Sequence, residues 1–305
     1  AKILAQNIER MGVKNAVVLN HSPQELEVRF PAFFDRIVVD APCSGEGMFH
    51  KEEAALTEWS PENVQMCAQR QRDILACAVN MLCPGGVLVY STCTFASAED
   101  EDMIRWLLDK YPDLTLQPID TAALDISDGE IRGTGRIYPH RQRGEGHFVA
   151  RLMKGGIRLP RQSAVRMSDD SSGKRDKKGK KKMKDAAPTD AWAGYEAFAK
   201  QYLRCELNGC RQMFGDQLYL VPQEMPDLRG MKVLRPGLHL GTDKKNRFEP
   251  SHALALALRA DQVSQVCETD EPEQYLRGMT LGCDPALDGW VLVAYQGMPL
   301  GWGKA

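Results

Sequence analysis

Apolar positions recur along this chain with two different periods. Over residues 1–11, Ile3, Leu4 and Ile8 fall at helical spacing, and Gly12 is placed to stop the helix. Short β-branched or apolar runs at Ala16 to Leu19, Arg36 to Val39 and Val87 to Ser91 predict buried strands. Between the last two runs, Pro61 at a first turn opens a long helix to about Leu82, which Pro84-Gly85-Gly86 ends. A helix over Glu99 to Tyr111 follows, then strands at Leu114 to Pro118 and His147 to Met153. Helix and strand alternate, so the pattern predicts an α/β domain of the doubly wound kind.

From Arg158 to Pro188 the periodicity stops and Ser, Lys, Asp and Gly dominate, which predicts a linker. Beyond it, Ala191 to Cys205 reads as an amphipathic helix whose Trp192, Tyr195, Phe198, Ala199 and Tyr202 pack a second core. Short runs at Gln217 to Val221, Lys232 to Leu234 and Trp290 to Ala294, with a helix near Ser251 to Arg259, predict a small β-rich barrel. The expected division is therefore 1–155, a basic linker over 156–190, and a C-terminal region over 191–305.

Composition narrows the function classes. Nine cysteines, an odd number with no Cys-x-x-Cys metal pair, fit a reducing cytosol better than a disulfide framework. No metal is expected, and no apolar stretch is long enough to span a bilayer, so a cytoplasmic protein without membrane association is expected. The formal net charge of −2 hides a basic block made of Lys174, Arg175, Lys177, Lys178, Lys180, Lys181, Lys182 and Lys184. Such a block either contacts phosphate without reading sequence or serves as a solvated tether.

Two cysteines stand in unusual settings. Cys43 lies in Asp40-Ala41-Pro42-Cys43-Ser44-Gly45 and Cys93 in Ser91-Thr92-Cys93-Thr94, each just past a predicted strand. Parallel strands bring reactive residues to their carboxyl ends, so both thiols are expected to open onto one crevice. The competing reading is a pair of inert buried thiols.

Together these two motifs resemble the NOL1/NOP2/Sun family of RNA cytosine carbon-5 methyltransferases over about Ala1 to Lys154. Leu234-Arg235-Pro236-Gly237-Leu238-His239-Leu240-Gly241 and the segment from Lys244 to Ala253 resemble the C-terminal region of a bacterial small-subunit rRNA branch, which contains a PUA-like module. The resemblance implies a class I (Rossmann-like) methyltransferase domain, a small α+β PUA-like domain and S-adenosylmethionine as cofactor. It also implies 5-methylcytosine formation in small-subunit (16S) ribosomal RNA, with the small ribosomal subunit as partner and a monomeric protein as the expectation. A tRNA substrate is the nearest rival, and a non-catalytic RNA-binding assembly factor is the rival from another class.

By the same resemblance, Cys93 is the nucleophile, Cys43 assists product release and Asp40 supports ring activation. DNA cytosine methyltransferases use the Pro-Cys thiol as nucleophile instead, and the second thiol in Thr-Cys-Thr points to the RNA type. Asn20, Asp40 and Pro42 match positions that touch the cofactor. Lys51, Arg141 and the basic block, Lys174, Lys177, Lys178, Lys180 and Lys181 among it, are candidate RNA contacts, and Gly45 to Lys51 and Arg136 to Phe148 look like RNA-facing segments.

The chain departs from the family pattern in two ways. Ala98-Glu99-Asp100-Glu101 replaces the usual Glu-Glu-Asn-Glu. No Gly-rich turn follows a strand upstream of Asp40, so the opening strands of the fold are expected in a longer polypeptide, with the C-terminus also cut. Without those strands, Ile37-Val38-Val39 is expected to show an unpaired apolar edge. Direct pairing of Ala16 to Leu19 with Arg36 to Val39 is the alternative.

Overall fold

The computed structural model describes residues 1–157, 192–244 and 247–305. The Lys174 to Lys184 block and most of the expected linker lie outside them. Two compact units emerge: one joins Ala1–His21 to the described residues from 192 onward, and the other runs from Ser22 through residue 157.

The first unit starts with α1 (Lys2–Arg10) and β1 (Val18–Leu19). Here the structure corrects the expectation for Ala16 to Leu19. β1 neither belongs to the sheet that carries Asp40 nor pairs with Arg36 to Val39; it forms an antiparallel pair with Val233–Arg235, and its Val18 is buried. Buried Arg235 gives the physical reason, because its guanidinium donates to the carbonyls of Val13 (2.7 Å) and Gly237 (2.9 Å) and so ties the segment ahead of β1 to the C-terminal residues. Gly12 permits the approach: its φ is +66°, and a Cβ there would meet the Leu256 carbonyl oxygen at 2.1 Å.

The second unit begins at α2 (Pro23–Arg29), capped reciprocally by Ser22 and Glu25. It continues through β2 (Phe34–Asp40), a 3-10 turn at Glu46–Met48, α3 (Glu53–Glu58) and α4 (Pro61–Met81). Ser60 caps α4 by accepting the Asn63 N–H, with Pro61 in the first turn as expected. Then come β3 (Leu82–Thr92), α5 (Glu101–Lys110), β4 (Leu114–Leu116), β5 (Ser127–Asp128), β6 (Gly135–Ile137) and β7 (His147–Lys154). β3 starts five residues before the predicted run, because Leu82 already pairs with Phe34 ahead of a register shift.

The sheet order is β2-β3-β7-β6-β5, with β4 also against β7. Only β2 and β3 are parallel, so the sheet is mixed. Its core gathers Leu75, Leu82, Leu88, Tyr90, Ile104, Phe148 and Leu152 from α4, β3, α5 and β7. β2 has no strand partner on its outer side among the described residues, and Val38 is 71% exposed there, the apolar edge that was expected.

The remaining elements are α6 (Ala193–Tyr202), β8 (Cys210–Phe214), β9 (Gln217–Val221), β10 (Val233–Arg235, the partner of β1), β11 (Leu238–Lys244) and β12 (Arg247–Pro250). They are followed by α7 (His252–Leu256), β13 (Val266–Glu268), α8 (Pro272–Leu276), β14 (Trp290–Tyr295) and β15 (Met298–Lys304). α6 buries Tyr195, Phe198 and Tyr202, as the periodicity predicts. Besides the β1–β10 pair, the strands of the region predicted as a small β-rich barrel form two sheets, β12-β11-β9-β8 and β13-β14-β15. α7 packs against both β11 and β15 and contributes Ala253, Leu254 and Ala255 to the core, while Trp302 Nε1 donates to the Ser251 carbonyl at 3.0 Å. No helix among the described residues is long and apolar enough to cross a membrane.

Candidate active site

Adjacent parallel strands set the register of the site: Asp40 at the end of β2 pairs with Ser91 near the end of β3. The chain leaves both strands at the same level, and the Ala41 N–H still donates to the Ser91 carbonyl at 3.1 Å. Three residues beyond Asp40 and one beyond Thr92, the two thiols meet, with Cys43 Sγ 3.1 Å from Cys93 Sγ. Both side chains are half-buried and so remain reachable.

Two sulfurs this close do not ionise alike. The Cys43 thiol is the more enclosed, and its hydrogen bond to Cys93 holds the Cys93 thiol below the ordinary cysteine range, although burial and the neighbouring Asp40 pull the other way. The same bond, with burial, pushes Cys43 up. The pair thus favours charge on Cys93 over Cys43, although the Cys93 N–H also donates to Cys43 Sγ at 3.3 Å.

Buried polar groups lock the two loops together. Ser44 and Thr94 hydroxyls lie 2.8 Å apart, and the Gly47 N–H donates to the Cys93 carbonyl at 2.9 Å. Fully buried Glu99 accepts from the Ser44 N–H (3.1 Å) and from Gln71 Nε2 (2.7 Å), while Tyr90 donates to the Glu99 carbonyl at 2.6 Å. Burial raises the Glu99 carboxyl against these bonds. Asp100, also fully buried, accepts the Thr92 hydroxyl at 2.5 Å, and burial pushes its carboxyl up to about 8. Arg136 forks onto Glu101 at 2.9 and 2.6 Å and lies 3.0 Å from Asp100.

Residues 1–153 match the family model described as 16S rRNA methyltransferase RsmB/F. The chain belongs to this family. Residues 197–258 match the RsmF rRNA methyltransferase first C-terminal domain, and 267–305 the methyltransferase RsmF PUA domain. Among curated relatives of this RsmB/F chain, a ribosomal RNA small subunit methyltransferase F of Klebsiella pneumoniae is 31% identical over 309 residues, covering 99% of this chain and 62% of the relative. The Escherichia coli protein of the same name is 32% identical over 312 residues, with the same coverage. The chain thus spans under two thirds of these relatives' length. Among solved structures, NSun6 from Pyrococcus horikoshii with SFG shows 31% identity and a TM-score of 0.43, covering 50% of this chain and 38% of that one. A methyltransferase homologue from the same organism shows 33% identity and a TM-score of 0.40, covering 49% and 48%. The fold is the family's Rossmann-like one with a mixed sheet, followed by a PUA-like domain.

Within this RsmB/F frame, the structure brings Asp40, Pro42, Cys43 and Cys93 together at the ends of β2 and β3, with Asp40 and Pro42 exposed. Asn20 is not on that sheet. It follows β1 in the other unit, where its N–H donates to the Lys232 carbonyl at 3.0 Å. Lys51 pairs with Glu145 at 2.7 Å, joining the two segments expected to face RNA. Arg141 donates to Ser127 Oγ at 3.1 Å and lies over the Tyr138 ring. Lys174, Lys177, Lys178, Lys180 and Lys181 fall outside the described residues.

The sequence pattern did not single out Glu46, Gln71, Phe95 or Tyr138. Glu46 accepts from the Phe95 N–H at 3.0 Å and from Trp59 Nε1 at 2.8 Å. Its place inside Gly45-Glu46-Gly47 was a usable signal, whereas Gln71 on α4 had none, since a helical glutamine reads as surface.

Proposed function

We propose that the protein of which this chain is part makes 5-methylcytosine in small-subunit ribosomal RNA, with S-adenosylmethionine as methyl donor. The observation that carries the reading is the 3.1 Å thiol pair at the ends of two parallel strands. A thiolate nucleophile with a second titratable group beside it suits a carbon-5 methylation, because C5 of cytosine gains nucleophilic character only after addition at C6 and must then lose its proton.

Cys93 Sγ forms a bond to C6, and the C5–C6 π electrons move into the ring. Asp40, exposed at the end of β2, meets the growing charge near N3 with a proton or a shared hydrogen bond. S-adenosylmethionine, when bound, supplies the electrophilic methyl group that the activated C5 takes up. Asp40 and Pro42, both exposed, fit the role of holding its methionine end. Once Cys93 is bonded to C6 and no longer charged, Cys43 can release its own proton to solvent and, as thiolate, take the C5 proton; the electrons of that C–H bond restore the double bond, and the C6–Sγ bond breaks to free Cys93 as thiolate.

Labelled methyl incorporation into small-subunit RNA by the full-length protein tests the activity. Cys93→Ala is expected to abolish it without any covalent RNA adduct, and Cys43→Ala to accumulate an adduct stable in denaturing gels. Tight RNA binding without methyl incorporation would leave an assembly factor, modification of tRNA alone would change the substrate, and the opposite adduct pattern would exchange the thiols.

A further inference from the structure

Beside the thiol pair lies a second opening that the chemistry above does not use. This cleft of about 440 Å³ is lined by Phe49, His50, Phe95, Tyr138, Pro139 and His140, with Glu46 and Gly47 at its base. Neither cysteine lines it. Yet it is attached to them: Phe95 is two residues from Cys93, and the Gly47 N–H holds the Cys93 carbonyl.

Its walls are aromatic faces in an ordered arrangement. The Phe95 and Tyr138 rings are stacked, 5.7 Å between centroids and 15° between planes, and the His140 ring lies 5.5 Å from Tyr138. Phe49, Phe95 and Tyr138 are only half-buried, although aromatic rings of this size ordinarily fill a core. Glycine makes the arrangement possible. Gly146 donates to the Gly47 carbonyl at 3.2 Å, and a Cβ on Gly146 would strike the Phe95 ring at 2.1 Å.

The carboxylate at the cleft does not offer a free acceptor for reading a base. Both Glu46 oxygens are already engaged, by Trp59 and by the Thr94–Phe95 segment. At its edge exposed Arg141 lies 5.7 Å from the Tyr138 ring centre. Flat aromatic faces with a cation at the edge suit an unstacked base whose flanking phosphates stay in water.

We propose that this cleft seats, by stacking, the nucleobase adjacent to the target cytosine on the RNA strand; the assignment rests on the function argued above. The target ring itself goes to Cys93, and the neighbouring base stacks on the Phe95–Tyr138 side. Taking up the neighbour offsets part of the cost of drawing the target out of its own stack. Stacking of this kind selects for a π face rather than for one base.

The test uses the full-length protein and seven-nucleotide single-stranded RNAs, each with one central cytosine, 2-aminopurine on its 5′ or 3′ side, and uridine elsewhere. Fluorescence of the 2-aminopurine is expected to be quenched at one flank. An abasic residue at that flank should weaken binding about tenfold, within the range of one base–aromatic stack. Tyr138→Leu should lose the same factor, Tyr138→Phe should keep wild-type affinity, and the abasic RNA should bind wild type and Tyr138→Leu equally. The abasic arm alters no protein residue, so it decides even if a variant misfolds. Equal binding of the abasic and intact RNAs, or relief of quenching by excess S-adenosylhomocysteine, overturns the cleft assignment. Failure of wild type to bind any of these RNAs also overturns the cleft assignment, and methyl incorporation with small-subunit RNA shows separately whether the function still stands.

Discussion

Distance and enclosure divide the labour between two chemically identical side chains. A hydrogen bond from the Cys43 thiol can stabilise negative charge on Cys93 but cannot do so for both sulfurs at once, so ionisation of one suppresses that of the other. Iodoacetamide is therefore expected to alkylate Cys93 before Cys43, with a pH midpoint below that of an ordinary cysteine. Cys43→Ser keeps a hydroxyl donor and should hold the Cys93 midpoint low, whereas Cys43→Ala should raise it, as read by mass spectrometry of quenched samples. Faster modification of Cys43 would reverse the assignment of proton and charge. The two thiol motifs were legible as a site because Cys43 and Cys93 each follow a β-branched run, whereas their 3.1 Å separation depends on β2 and β3 being neighbours in register.

One scale up, the start of α5 is where the site is stiffened. Glu99, Asp100 and Glu101 are all fully buried, and Arg136, from β6, is the cation that meets Glu101 and Asp100. Such a cluster is costly unless one carboxyl stays neutral. Asp100 is that group: its folded value near 8 lies above its ordinary 3.8, so the folded chain keeps a proton that the unfolded chain releases. Stability should consequently fall as pH rises from about 4 towards 8, and level off above it. Asp100→Asn retains an acceptor for the Thr92 hydroxyl and cannot ionise, so its melting temperature should lose much of this slope and exceed that of wild type most clearly at pH 8 and above. A parallel slope in wild type and variant would show that Asp100 is not the titrating group. The departure from Glu-Glu-Asn-Glu was visible in the sequence, but its burial was not, because three consecutive acids at a helix start read as a solvated, dipole-favoured first turn.

For the whole molecule, charge placement matters more than the sum. A net charge of −2 coexists with eight basic residues between Lys174 and Lys184. Their contribution to RNA affinity is expected to be sequence-independent and salt-sensitive. Replacing Lys177, Lys178, Lys180 and Lys181 with Gln should weaken binding of all RNAs alike and flatten the plot of log affinity against log salt by about 0.7 for each phosphate that is no longer neutralised. An unchanged slope would leave the block as a tether.

Element types were readable from periodicity across most of the chain: α4, β2, β7, α6, β9 and β14 fall where the apolar spacing puts them. So was the identity of the reactive groups, since a thiol beside Pro42 and another between threonines are local features. Partnership was not. That Val18 pairs with Arg235, that Glu99 closes over Ser44, and that Phe95 stacks on Tyr138 are meetings of residues far apart along the chain. Periodicity records how much of a segment is buried and leaves open what buries it; those choices arise only when strands and loops compete for the same edges, cavities and buried charges in three dimensions.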